Sequence, residues 1–151
     1  MIENKNRPLT IKTISNLLVI RFLQQMNDVT TQLRPLYIEG HAGIGKSQMM
    51  KDICLILSSK TGQEVNLQTL NLQFCERPDF MGLPYIDEMK TTKFARPNFL
   101  PLEGYGILFL DEANRVDTDI QSGMLTLLED RNINGHKLGK NWMIVLAGNP
   151  S

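Results

Sequence analysis

The sequence predicts an α/β fold, a three-layer αβα sandwich in which helices cover both faces of a parallel sheet. Stretches with apolar residues at helical spacing alternate along the chain with short apolar runs of strand length, the pattern of repeated strand–helix–strand units. A glycine-rich segment or a polar side chain directly follows several of these runs. Because the carboxyl ends of parallel strands meet at one edge of a sheet, we expect a single domain over residues 1–151 with its functional groups collected at that edge.

The composition excludes several function classes. Hydrophobic residues make up 42% of the chain and charged residues 21%, as in ordinary globular proteins. The 16 basic and 16 acidic residues cancel, so we do not expect nucleic acid as the main partner. No apolar run approaches the roughly 18 residues that cross a bilayer, and no membrane association is expected. Cys54 and Cys75 stand alone without a C-x-x-C spacing, which favours free thiols in a reducing cytoplasm over a disulfide.

Three segments have the apolar spacing of amphipathic helices. The first is "TISNLLVIRFLQQM", residues 13–26, with a threonine or serine near its start as candidate cap. The second runs from Gly45 to the residue before Gly62, where glycine is a common helix stop. The third is "DTDIQSGMLTLLED", residues 117–130, whose opening aspartate or threonine is its expected cap.

Four apolar runs are predicted strands of the sheet. They are "PLYIEG" (35–40), "EVNLQTLNLQ" (64–73), "GILFLDE" (106–112) and "WMIVLAGN" (142–149). The dipeptide Asn134-Gly135 predicts a hairpin turn between the third helix and the last strand. Between the second and third strands the periodicity fails and four prolines interrupt the chain, so residues 74–105 are expected to form an irregular insertion.

The segment "GHAGIGKS" carries the strongest chemical signal in the chain. It fits the phosphate-loop pattern G-x-x-x-x-G-K-[ST] and lies between a predicted strand and a predicted helix, as that motif requires. Glycines let the backbone N–H groups approach phosphate oxygens, and the helix N-terminus adds its positive dipole end. Lysine then reaches the β- and γ-phosphates and the serine hydroxyl ligates Mg²⁺. The expected nucleotide-binding residues are Gly40, His41, Ala42, Gly43, Ile44, Gly45, Lys46, Ser47 and Gln48.

Two carboxylates and an amide follow the other apolar strands. Asp111 is the expected Mg²⁺ ligand beside Ser47, and Glu112 the expected general base for an attacking water. The alternative for such a pair is a solvated turn. Asn149 ends the last strand, where a neutral amide can hydrogen-bond the water or a γ-phosphate oxygen, and its alternative role is a turn residue before proline.

Taken in order, "GHAGIGKS", "LFLDEANR", "LLEDR" and "VLAGNP" resemble the AAA+ ATPases, and more narrowly their MoxR-like and dynein-related branch. The resemblance covers roughly residues 9–150. It implies a P-loop NTPase core with strand order 1-4-3-2, in which the strand before Asn149 lies between the strands of the two nucleotide motifs. It also implies ATP or ADP with Mg²⁺ as cofactors, and Lys46, Glu112 and Asn149 as catalytic residues.

The resemblance further implies a ring, a hexamer when complete, that remodels a protein client or works with a von Willebrand A-domain partner. Arg115 and Arg131 are each either a charge that faces a neighbour's nucleotide or a solvated helix end. Ile11 is expected to contact the adenine, while Phe80 and Met81 either pack against the core or touch a client. The fifth strand, arginine finger and helical lid of the family have no counterpart in this sequence, which leads us to expect an incomplete motor with the first strand at a sheet edge.

Two other classes of protein stay open on the sequence alone. A non-hydrolysing nucleotide switch would use the same phosphate loop, and the lack of a finger and a lid adds weight to it. A P-loop small-molecule kinase shares only that loop and needs a substrate pocket with lid arginines, whereas the Asp111–Glu112 pair followed by Asn149 favours a water nucleophile.

Overall fold

The computed structural model describes residues 10–27, 34–40 and 45–149, which form four helices and eight strands. In chain order they are α1 (Ile11–Asn27), β1 (Leu36–Glu39), α2 (Lys46–Thr61), β2 (Val65–Asn71), α3 (Arg77–Met81), β3 (Pro84–Ile86), β4 (Thr92–Phe94), β5 (Tyr105–Asp111), α4 (Thr118–Asp130), β6 (Asn132–Ile133), β7 (His136–Lys137) and β8 (Trp142–Gly148).

The main sheet has four parallel strands in the order β1-β8-β5-β2. Counting only these four along the chain, this is the expected order 1-4-3-2, and β8 lies between β1 and β5. All four strands run the same way, so Gly40, Asp111 and Asn149 follow or end their strands at one edge of the sheet. That shared edge is where the candidate site forms, and β1 lies at one end of the described sheet.

Helices cover both faces of this sheet, and each face has its own core. Alternate residues of β5 point to opposite sides: Ile107 and Phe109 pack with α1 and α2, whereas Leu108 and Leu110 pack with α3 and α4. The side chains of β8 divide in the same way. Both strands are therefore buried on two faces, which explains their continuous apolar sequences and confirms the three-layer arrangement.

The helix ends follow local chemistry. Gly45 and Gly62 flank α2 and have φ of 81° and 70°, the left-handed region that suits glycine at these positions. The start of α1 differs from the expectation, because the side chain of Thr10 accepts a hydrogen bond from Thr13 N at 3.2 Å and the helix begins two residues earlier than predicted. Of the helices that the structure describes, none is both long and apolar enough to cross a bilayer.

The segment 74–105 is more regular than its prolines suggest. Helix α3 has a capping box, in which the Asp79 side chain accepts from Glu76 N at 2.9 Å, and Pro78 lies in its first turn, where no N–H is needed. Strands β3 and β4 form an antiparallel hairpin that opens at a proline, and Asp87 Oδ1 accepts from two backbone N–H groups of its turn. Pro78 at the helix start and Pro84 at the strand end do not interrupt these elements, whereas Pro97 and Pro101 lie outside them.

The inserted segment is fixed onto the domain by aromatic packing and side-chain hydrogen bonds. Phe80 is fully buried and stacks on Phe99 with ring centroids 5.1 Å apart, so it belongs to the core and does not face a client. Met81 is half-buried against α4 at Gly123. Three side chains connect the segment to the β6–β7 hairpin at the predicted Asn134-Gly135 turn: Asn134 to Met81 O, His136 to Phe94 O and Arg96 to Lys137 O.

Both cysteines are free and buried, and we expect them to react slowly with thiol reagents. Burial raises the pKa of each thiol from 9.0 to about 11, and the negative charge of Asp79 adds to the effect at Cys75. At pH 8 roughly one thiol in a thousand is then the reactive thiolate. Because the thiols of the unfolded chain ionise first, stability should fall as pH rises from about 9 towards 11. Labelling with Ellman's reagent, with and without denaturant, measures the reactivity of the thiols. Fast labelling of the folded chain would contradict the expected slow reaction.

Candidate functional site

The described part of the phosphate-loop segment consists of its two flanks. Gly40 directly follows β1, and Gly45 immediately precedes the first residue of α2. The helix is hydrogen-bonded from its first turn, since Met49 N donates to Gly45 O at 2.9 Å. Four predicted ligands lie outside the described residues, namely His41, Ala42, Gly43 and Ile44. A strand end and a helix N-terminus therefore bracket the loop as the motif requires.

Lys46 is buried between two strand ends. Only 9% of its surface is exposed, which is unusual for a lysine. Its Nζ donates to Gly40 O at 2.9 Å and to Gly148 O at 3.3 Å, while Gly40 N donates to the same Gly148 carbonyl at 3.1 Å. Among the described residues, these two carbonyls are the partners of an ammonium group that has three donors, which leaves one donor for an anion. The side chain is thus held at the sheet edge where the loop phosphate would lie.

The other residues expected around the nucleotide vary in placement. Ser47 is exposed in the first turn of α2, next to Lys46. Gln48 is directed along the helix, with its Nε2 donating to Asp52 Oδ1 at 3.0 Å. Ile11 is the first residue of α1 and is 50% exposed. Ser47 is the chain neighbour of Lys46. The roles of Ser47, Gln48 and Ile11 in nucleotide binding stay predictions.

Asp111 and Glu112 lie at the carboxyl end of β5. Asp111 Oδ1 accepts from Glu112 N at 2.9 Å, and its register partner on β2 is Asn71. The backbone of Glu112 is left-handed, with φ of 56°, a conformation that costs a non-glycine residue energy and is often found at functional sites. The following residues, Ala113–Arg115, form a 3₁₀ turn.

Two buried oxygens at this edge have no hydrogen-bond partner among the described residues. They are Oε2 of Glu112 and Oδ1 of Asn149. An unsatisfied buried acceptor costs about 1 to 3 kcal/mol, so both atoms call for a donor such as a water molecule or a metal-bound water. With the Asp111 carboxylate and the Ser47 hydroxyl, they form an all-oxygen set of the type that Mg²⁺ and its water shell prefer. The residues present therefore fit the predicted Mg²⁺ site.

Asn114 is a site residue that the motif analysis did not single out. Its Nδ2 donates to Asn149 O at 2.7 Å and so connects the 3₁₀ turn after β5 to the end of β8. The signal was available, because a carboxamide two residues after Glu112 lies one short turn from the sheet edge. The contact shows how the structure brings Glu112 and Asn149 to neighbouring positions.

The two candidate arginines differ. Arg115 is 51% exposed and its Nε lies 3.6 Å from Glu112 Oε2. Arg131 caps the C-terminus of α4 in the left-handed conformation, and its guanidinium donates to Gly139 O at 2.9 Å and to Trp142 O at 2.7 Å. Burial lowers the pKa of Arg131. Both hydrogen bonds come from Nη2, so this nitrogen is held by carbonyls of its own chain, and the role of Arg131 at a neighbour's nucleotide stays a prediction.

Replacement of Arg131 by alanine is expected to lower the free energy of unfolding by about 2 to 3 kcal/mol, because two carbonyls lose a charged donor. The matched change Arg115→Ala removes an exposed ion pair and should cost less than about 0.5 kcal/mol. Urea unfolding of both variants measures the difference. Equal midpoints would contradict a structural role for Arg131.

The fold and the site together define a P-loop NTPase of the αβα sandwich type. The sequence also matches the AAA domain family (dynein-related subfamily) over residues 35–150, and the chain belongs to that family, whose members are generally ATPases. A comparison with curated protein sequences gave no match.

Solved structures with the same fold include RuvB, Hsp104 and NtrX. A RuvB mutant from Thermotoga maritima is 16% identical with a TM-score of 0.56, and 93% of this chain aligns with 38% of that one. Hsp104 with ATPγS and casein is 17% identical with a TM-score of 0.62, covering 90% of this chain and 24% of that one. NtrX from Brucella abortus is 16% identical with a TM-score of 0.51, covering 93% and 35%. The chain thus spans well under half of each.

Proposed function

We propose that this chain binds ATP and, with Mg²⁺, hydrolyses it to drive the remodelling of a protein partner within a ring of AAA+ subunits. The observation that carries the proposal is the meeting of three groups at one sheet edge. They are the buried Lys46 amine, the Asp111–Glu112 pair, and the unpartnered amide oxygen of Asn149. A cation for phosphate, a carboxylate for the metal and a base for water are the parts that phosphoryl transfer to water needs.

Phosphate binding is assigned to the start of α2. Lys46 offers the donor that its two carbonyl contacts leave to an oxygen of the β- or γ-phosphate, and the helix N-terminus adds its partial positive charge. The hydroxyl of Ser47 and the carboxylate of Asp111 would hold Mg²⁺, which neutralises the charge that develops on the phosphates. ADP is expected to occupy the same site, because it keeps the β-phosphate that these contacts include.

Hydrolysis is assigned to Glu112 and Asn149. The Glu112 carboxylate accepts a proton from water as the water oxygen bonds to the γ-phosphorus and the bond to the ADP oxygen breaks. Asn149 offers its amide to the same water or to a γ-phosphate oxygen. Both side chains have a buried oxygen without a hydrogen-bond partner among the described residues, which supports their assignment to the attacking water.

Several observations support a ring that works on a protein. Arg115 is exposed beside the candidate base, so it is free to reach a neighbouring subunit's nucleotide, as a trans-acting arginine does. The hairpin β3–β4 exposes Tyr85, Ile86 and Met89, of which Met89 is 86% exposed. Exposed apolar side chains suit a protein client or a von Willebrand A-domain partner, and Hsp104 is a structural neighbour recorded with casein.

We propose a cytoplasmic location on the basis of the two free thiols.

A nucleotide switch without hydrolysis is the second candidate, and one observation favours it. The guanidinium of Arg115 lies 3.6 Å from the Glu112 carboxylate and competes for the base that hydrolysis requires. In that case ATP and ADP would exchange on the chain while turnover stayed near the uncatalysed rate.

The test is a titration of the chain with a fluorescent ATP analogue, with and without Mg²⁺, together with phosphate release and light scattering over a range of protein concentrations. We expect Mg²⁺-dependent binding, and turnover per subunit that rises with concentration as subunits associate. Binding without turnover at every concentration would favour the switch. A chain that binds neither ATP nor ADP would overturn both functions.

A further inference from the structure

Gly148, the last residue of β8, is enclosed by groups from three directions. Its carbonyl accepts from Gly40 N and from Lys46 Nζ. A Cβ at this position would collide with the hydroxyl of Tyr37 and would lie 3.0 Å from Asn114 Oδ1. Close approach requires a glycine at this position, since its φ is not in the left-handed region. The hydroxyl of Tyr37 and the amide of Asn114 therefore touch the residue just before Asn149.

Tyr37 comes from the edge strand β1 and lies on the α4 face of the sheet. Its register partner is Leu146, two residues before Gly148, so the ring leans along the strands towards the candidate site. The side chain is about half-exposed and lines a cavity of about 790 Å³ together with Asn114. No described residue hydrogen-bonds its hydroxyl, so hydrogen bonding within the described chain does not account for a tyrosine in place of phenylalanine.

We propose that Tyr37 is a positioning residue for ATP hydrolysis, an inference that rests on the function proposed above. Its hydroxyl fills the space beside Gly148 and limits the movement of the Asn114 amide, which holds Asn149 O at 2.7 Å. Lys46 and Gly40 fix the same strand end from its carbonyl side. The Asn149 side chain is thereby oriented from both sides of the peptide that precedes it.

The electrostatics of Tyr37 agree with this location. The pKa of its hydroxyl is raised, first by burial and then by the negative charges of Glu39 and Glu112. The influence of Glu112 means that the hydroxyl lies within electrostatic range of the candidate base.

The first experiment asks whether the contact exists, and it does not depend on activity. Tyr37→Phe is compared with Tyr85→Phe, which removes a hydroxyl from the exposed β3–β4 hairpin. In ¹H–¹⁵N spectra we expect the side-chain amide signals of Asn114 and Asn149 to shift in Tyr37→Phe and to stay in place in Tyr85→Phe. Unchanged signals in both variants would overturn the proposal even if the chain proves to be an ATPase.

The second experiment measures catalysis. In Tyr37→Phe we expect kcat to fall about three- to tenfold, with the Kd for ATP within about twofold of the wild type, because misplacement affects the reacting geometry more than binding. A parallel loss of affinity, or an unchanged kcat, would overturn the positioning role. If wild-type turnover is absent, the proposed function fails, and the role of Tyr37 in hydrolysis fails with it, while the spectra still report on the contact.

A double variant tests the packing directly. Gly148→Ala alone should reduce kcat, since its methyl group displaces the Tyr37 hydroxyl and Asn114 together. In Gly148→Ala/Tyr37→Phe the hydroxyl no longer meets the methyl group, which still lies 2.8 Å from the ring carbon Cζ. A small shift of the ring then relieves the contact, and part of the lost kcat should return. A double variant no more active than Gly148→Ala would show that Tyr37 does not act through Gly148.

Discussion

Lys46→Ala is expected to abolish nucleotide binding, with at least about a hundredfold loss of affinity for ATP and for ADP. The ammonium group is 9% exposed and held by the carbonyls of Gly40 and Gly148, so it is already ordered at the position where a phosphate would lie. Charge-assisted contacts in a site from which water is largely excluded are among the strongest in proteins. Alanine removes the charge and leaves no other lysine or arginine on the first turn of α2.

The comparison for this prediction is Lys51→Ala, which removes an exposed lysine from the same helix and should leave binding unchanged. Isothermal titration calorimetry with ATP and Mg²⁺ measures both variants, and their unfolding curves check that α2 is intact. The carbonyl of Gly148 keeps Gly40 N as a donor in Lys46→Ala, so a folded variant is expected. Retained affinity would overturn the phosphate-loop assignment for the hydrolase and for the nucleotide switch alike.

Much of the fold follows from the sequence because its periodicities are strong. The apolar runs of β5 and β8 are buried on both faces, and a parallel sheet with helices on both sides is the arrangement that buries them. The order of the strands came from the resemblance, since periodicity does not fix which strands are neighbours. Within the segment 74–105, residues 77–94 are more regular than the prolines suggest, because Pro78 and Pro84 occupy positions that tolerate proline.

The sequence likewise predicts one part of the candidate site and not another. Asp111, Glu112 and Asn149 each adjoin a strand end, and strand direction brings such residues to one edge. Lys46 begins the helix that follows β1 and so comes to the same edge. The contacts made across the sheet lie beyond local sequence. Tyr37 reaches Gly148 across 111 positions in the chain, and the sequence around it gives no sign of the contact.

The contacts of Arg131 are also not predicted by the local sequence. An arginine after "LLED" suggested a charge exposed at a helix end, yet its guanidinium turns inward to carbonyls 8 and 11 residues further along the chain. Motif position identified both arginines as candidates. The burial and the hydrogen bonds of Arg131 distinguish it from Arg115, which stays exposed beside Glu112.

Glu112→Gln is expected to lower ATP turnover by about a hundred- to ten-thousandfold while the Kd for ATP stays within about twofold, because an amide of the same shape cannot accept the proton of the attacking water. The substitution should be well tolerated. Glu112 Oε2 has no hydrogen-bond partner among the described residues, and its ion pair with the half-exposed Arg115 contributes little to stability. A large loss of turnover therefore reports on chemistry.

The matched control is Glu88→Gln at the exposed tip of the β3–β4 hairpin, which should behave as the wild type. Phosphate release and fluorescent-nucleotide binding are measured on both variants at the protein concentration where the wild type is most active. If Glu112→Gln keeps ATP bound and stops turnover, Glu112 is the base and the switch without hydrolysis is excluded. If it turns ATP over as fast as the wild type, another group activates the water. In that case the unpartnered oxygens of Glu112 and Asn149 serve only to bind the nucleotide and its metal.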